Sequence, residues 1–87
     1  MLFVTLARFR RRPTKQDVTE QDKREKEYEK RGLKVLSDYY TLGRYDNAVI
    51  IEAPDAKTAM DFFLEQAHIL STETLVAVPR KEARKLL

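Results

Sequence analysis

Two short segments of this chain are apolar on both of their alternating faces, and that constrains the fold more than any other feature. In an extended Leu2 to Phe9 (LFVTLARF), Leu2, Val4 and Leu6 point one way and Phe3, Ala7 and Phe9 the other. Asn47 to Ala53 (NAVIIEA) repeats the pattern, broken only by Glu52. Strands of this kind sit in the middle of a sheet and need cover on both sides. A chain of 87 residues makes one domain, residues 1–87, with a thin core and little material for two covering layers.

The remaining elements follow from pattern and punctuation. Pro13 ends the first strand, and Thr14 is a helix N-cap. Lys15 to Arg31 is almost entirely polar, with the acid-before-base pairs Glu20–Arg24, Asp22–Lys26 and Glu27–Arg31 at helical spacing. Val18 and Tyr28 are its only large apolar residues, so a solvated, loosely held helix is expected, stopped by Gly32. Leu33 to Leu42 reads as a second strand and Gly43 to Asp46 as a turn, ahead of the third strand at Asn47 to Ala53. Asp55 caps a second helix whose stripe is Ala56, Ala59, Met60, Phe63, Ala67 and Leu70, with Phe62 and Ile69 on a different face as a small contact patch. Ser71 to Val78 is a fourth strand, and Pro79 opens a short basic helical tail.

The order βαββαβ in so short a chain is the ferredoxin-like split βαβ pattern, an α+β fold with a four-stranded antiparallel sheet. Right-handed crossovers put both helices on one face, with the first and third strands central. The reverse face then carries apolar side chains and no helix. Charged residues make up 36% of the chain, so apolar volume is scarce, and a second copy is the simplest cover.

Thr41-Leu42-Gly43-Arg44-Tyr45-Asp46, running into Ala48-Val49-Ile50-Ile51-Glu52-Ala53-Pro54-Asp55, resembles the signature block of the GYD domain family. A last strand bearing Thr72 and Thr74 agrees with the family layout. The resemblance implies a dimeric α/β barrel, in which two ferredoxin-like sheets face each other. Its superfamily includes cofactor-free monooxygenases, isomerases and effector-binding regulatory domains. No catalytic set comes with the resemblance, and a fold alone does not supply a function.

Six residues are candidates for pocket or acid/base chemistry: Tyr39, Tyr40, Tyr45, Asp46, Glu52 and His68. Each also has a plainer reading. Tyr45 and Asp46 belong to a tight turn that favours such residues, and Tyr39 and Tyr40 pack on opposite faces of one strand. Glu52 pairs with Arg8 on the neighbouring strand, and His68, the single histidine, sits near the end of the second helix. Arg8, Arg10, Arg11 and Arg12, with Lys15 beyond them, form a basic cluster suited to an anion. The net charge is only +3 and no nucleic-acid motif is present, so nucleic acid is not an expected partner.

The chain contains no cysteine, which removes disulfides, thiol nucleophiles and cysteine metal sites. No metal site and no cofactor are expected. Nothing here has the length of an apolar membrane span, and Met1 to Phe9 lacks the flanks of a signal peptide, so the expected location is the cytoplasm. Two functional expectations follow. One is a homo-oligomeric ligand-binding or accessory module, with a cleft beneath a lid-like first helix. The other is a small cofactor-independent enzyme, monooxygenase- or isomerase-like, acting on a hydrophobic oxygenated substrate.

Overall fold

The computed structural model describes residues 1–87. The chain runs β1 (Leu2–Phe9), α1 (Lys15–Glu29), β2 (Lys34–Tyr40), β3 (Asn47–Glu52), α2 (Ala56–Leu64), β4 (Leu70–Ala77) and α3 (Arg80–Ala83), closing with a 3-10 turn at Arg84–Leu86. The four strands form one antiparallel sheet in the order β2-β3-β1-β4. The fold is ferredoxin-like α+β, with the two doubly apolar strands in the centre. No helix is long and apolar enough to cross a membrane.

Burial alternates along both central strands. Phe3, Thr5 and Ala7 of β1 and Asn47, Val49 and Ile51 of β3 are buried, on the face that carries the helices. The core joins Phe3, Val49 and Ile51 to Tyr28 of α1 and to Ala59, Phe62 and Phe63 of α2. Only 15 of 87 residues are buried, so each core contact matters more than in a larger domain. Gly32 and Gly43 turn the chain at φ of 87° and 106°, where a residue with a Cβ would be strained.

The polar helix α1 is held at its two ends. At the start, Thr14 and Asp17 cap each other: Asp17 N–H donates to Thr14 Oγ1 at 3.2 Å, and Thr14 N–H donates to Asp17 Oδ2 at 2.7 Å. Arg11 closes on the same carboxylate at 2.6 and 2.9 Å. These donors stabilise the ionised form and hold the Asp17 carboxyl far below its ordinary value. Near the other end, Tyr28 is 3% exposed and meets Phe62 edge to face at 5.1 Å, with the Arg31 guanidinium 4.6 Å from its ring centre. Arg31 and Arg24 reach across to Asp61 and Glu65 beside α2, at 2.8 and 3.5 Å. The expected pairs Glu20–Arg24, Asp22–Lys26 and Glu27–Arg31 form no ion pairs; two of those arginines bind the neighbouring element instead.

The second helix differs most from its expected form. It ends at Leu64 rather than running through Leu70, and its buried stripe is Thr58, Ala59, Phe62 and Phe63. Phe62 is therefore core, not a contact patch, while Met60 is exposed. The Asp55 cap sets this phase: its carboxylate accepts Thr58 N–H at 2.7 Å. Beyond Leu64 the chain tapers through turns, with the buried Gln66 side chain donating to Phe62 O at 3.1 Å.

The Tyr28 hydroxyl is buried without a hydrogen-bond partner, and burial, with Glu65 and Asp61 nearby, raises its pKa. Tyr28→Phe should therefore leave stability to urea unchanged or slightly raised, whereas Tyr28→Ala should cost about 3–5 kcal/mol. A large loss in Tyr28→Phe would mean the hydroxyl is bonded. Asp17 gives a second prediction. Its folded pKa lies below its ordinary value of 3.8, so its contribution is present above about pH 4 and is lost as pH falls towards the folded value. Glu25 on the same helix responds oppositely, because burial and then Asp38 and Asp22 raise its pKa. The difference between wild type and Asp17→Asn isolates the Asp17 effect. Helical circular dichroism of the two should differ at pH 6 and draw together progressively as pH falls from about 4 towards the folded value, and a gap that does not shrink in acid would contradict the capping account.

Candidate functional site

The sheet presents two surfaces with different chemistry, and the predicted residues divide between them. On the helix-free face the register sets three cross-strand rows. They are Tyr39–Ala48–Leu6–Glu73, Ser37–Ile50–Val4–Leu75 and Lys34–Glu52–Leu2–Ala77. The middle of this face is apolar and half exposed, and its charges lie at the rim.

At one end of that face, Tyr45 gathers a cluster. Its hydroxyl donates to Glu73 Oε2 at 2.8 Å, and the guanidinium carbons of Arg8 and Arg44 lie 5.5 and 5.7 Å from its ring centre. Tyr39 is on the same face, 60% exposed. Asp46 is turned inward: its carboxylate accepts Phe9 N–H at 2.9 Å, and its own N–H donates to Ala7 O at 2.8 Å. Asp46 thus ties the β2–β3 turn to the end of β1. Thr41 Oγ1 donates to Tyr45 O at 2.7 Å and closes the same turn.

Glu52 does not pair with Arg8. The antiparallel register puts Glu52 opposite Leu2 and Lys34, and Arg8 opposite Ser71, roughly 20 Å away along β1. Adjacency of two central strands carried the expectation, and their direction overturns it. Lys34 is the cross-strand neighbour of opposite charge.

Tyr40 and His68 lie on the helix side. Tyr40 meets Phe9 edge to face at 5.4 Å. His68 is exposed in the turn after α2, because the helix stops four residues short of it. Both border a cavity under the N-terminal half of α1, but its volume is about 20 Å³, room for one water. A shallower concavity of about 310 Å³ opens between α1 and β2, lined by Val18, Asp22 and Glu25 on one side and Val35, Asp38 and Tyr40 on the other. The arginine cluster also divides. Arg8 faces the open side, Arg11 is committed to Asp17, and Arg10 donates from Nε to Ala67 O at 2.9 Å on the helix side. Arg12 remains exposed in the loop and, like Arg10, pairs with no carboxylate.

The largest concavity is one the sequence pattern did not indicate. It lies between α2 and the helix side of edge strand β4, with a volume of about 520 Å³, within the range of small-molecule sites. Phe3 and Phe63 contribute to its lining, with Met60 and Leu64 from α2 and Leu70 and Val76 from β4. Arg10, Thr72 and Thr74 supply polar groups. It exists because α2 is short and packs over the central strands, so Val76 remains 65% exposed although it points to the helix side. The one available signal was a fourth strand with two threonines among apolar residues.

A family model described as GYD domain matches residues 3–87, essentially the whole chain. Comparison with curated proteins gives no match. If Asp46 is a structural tie, Asp46→Ala should destabilise the domain by about 1–3 kcal/mol in urea unfolding. An unchanged unfolding midpoint would release Asp46 for another role.

Proposed function

Because the chain belongs to the GYD domain family, we propose that it works as a homo-oligomeric ligand-binding or accessory module, in which two copies meet through their helix-free faces. The observation that carries this reading is the apolar centre of that face: Leu2, Val4, Leu6, Ala48 and Ile50 are half exposed, and Leu75 is 48% exposed. A contiguous apolar surface of this kind is costly in water and marks an interface. Its chemistry suits a two-fold pairing, since apolar rows meet in the middle and charges of both signs, Glu52, Lys34, Arg8 and Glu73, stay at the rim.

Size sets the expected strength. Four strands about 4.8 Å apart, rising about 3.3 Å per residue, make a face of roughly 400–500 Å². Two such faces hide roughly 900 Å² before side-chain relief is counted, the low end for a specific interface. The pairing is therefore modest from the sheet alone.

The enzyme reading, a cofactor-independent monooxygenase or isomerase, draws less support. Within one copy the candidate acid/base groups do not converge: Tyr45 and Glu52 lie at opposite ends of the open face, and His68 and Tyr40 lie behind the sheet. Nucleic-acid binding draws less still, since the arginines point to different surfaces. A cytoplasmic location belongs to the same proposal.

Sedimentation equilibrium tests the pairing. The wild-type chain should weigh twice its chain mass at high micromolar concentration. Val4→Lys, at the centre of the face, should be folded by circular dichroism and monomeric at every concentration. A monomeric wild type, or a dimeric Val4→Lys, would remove the helix-free face from the interface.

A further inference from the structure

We propose that the groove between α2 and β4 is the ligand site of this module, and that it takes a small amphipathic monoanion, an aliphatic or aromatic carboxylate. This rests on the ligand-binding reading above but not on which surface makes the dimer. The groove is graded along its length. Its far end is apolar, where Val76 of β4 lies across from Phe3 and the first turns of α2, Ala56 to Met60. Its near end is polar and cationic, where Arg10 sits beside Ala67 and Leu70, and Thr72 follows on β4.

Charge decides the ligand class. Arg10 is fixed by its Nε–H bond to Ala67 O and pairs with no carboxylate, unlike Arg11, Arg24 and Arg31. Its terminal nitrogens keep their donors, and a guanidinium fork matches a carboxylate in two bonds. No acidic side chain lines the groove, so nothing in it competes for that charge or welcomes a cation. Thr74 is spoken for, its hydroxyl 2.9 Å from that of buried Thr5, whereas Thr72 has no partner in the chain. The polar end therefore offers a cation and a free hydroxyl, and the remainder offers aromatic, methionine and leucine surface for a hydrocarbon body.

Amide chemical shifts of the wild-type protein, titrated with octanoate, 1-octanol and octylammonium, test this site by site. Octanoate should move Met60, Leu64, Thr72, Thr74 and Val76 and bind tighter than 1-octanol, with octylammonium weakest. Arg10→Gln should weaken octanoate roughly tenfold or more and leave 1-octanol unchanged. Ala67→Trp, at an exposed wall position, should block both. Octanoate shifts confined to the helix-free face or the α1 side would overturn the groove while leaving a ligand-binding module intact. Equal binding of octylammonium, or no effect of Arg10→Gln, would overturn the anionic class. Groove signals that move with protein concentration would instead assign the groove to a second copy. No shift with any of the three probes would end the groove proposal, while the ligand-binding or accessory reading and the sedimentation result on the dimer would stand separately.

Discussion

Everything in this molecule follows from two central strands that are apolar on both sides. β1 and β3 place Phe3, Val49 and Ile51 on one face and Leu2, Val4, Leu6 and Ile50 on the other. The chain has helices enough to cover one of these faces. That side becomes the core, and the other remains half exposed. Hydrophobic burial scales with area removed from water, so the uncovered face holds stabilisation that a single copy does not realise. A thin core and an unfinished surface are one constraint seen from its two sides.

On the covered side, economy of apolar residues shapes the details. A fifteen-residue helix contributes one buried side chain, Tyr28, and its ends are fixed by polar chemistry: the Thr14–Asp17–Arg11 cap at the start, and Arg31 stacked on Tyr28 beyond the last turn. The exposed ion pairs to Asp61 and Glu65 add little by themselves. They orient the helix against α2, while Tyr28 and Phe62 supply the packing. Because α2 is spent on this contact and on the central strands, edge strand β4 keeps an open helix side. The groove is thus a by-product of the same shortage.

Much of the architecture was legible in the residues. The strand order, the central position of β1 and β3, the caps at Thr14 and Asp55 and the glycine turns at Gly32 and Gly43 all rest on local chemistry, which a sequence states directly. The misreadings have a common origin. Phe62 was placed off the core because a helix through Leu70 shifts the apolar stripe, and the turns from Glu65 onward carry no glycine or proline to announce them. Arg8 and Glu52 were paired because neighbouring strands are evident from pattern whereas register is not. The basic cluster looked like one patch, yet β1 ends at Phe9 and the chain bends at Arg10, so Arg8 stays on the open face while Arg10 turns back to Ala67 on the helix side. The groove depends on where a helix stops relative to an edge strand. That is a distance in space, and no residue spacing encodes it.

The most direct measurement concerns the uncovered face. In a mixture of carbon-13-labelled and unlabelled protein, isotope-filtered nuclear Overhauser contacts report only pairs of side chains from different copies. Cover by a second copy predicts contacts among the methyl groups of Val4, Leu6, Ile50 and Leu75, with none from the core residues Val49 and Ile51. An absence of contacts from the helix-free face, in a protein soluble at millimolar concentration, would contradict it.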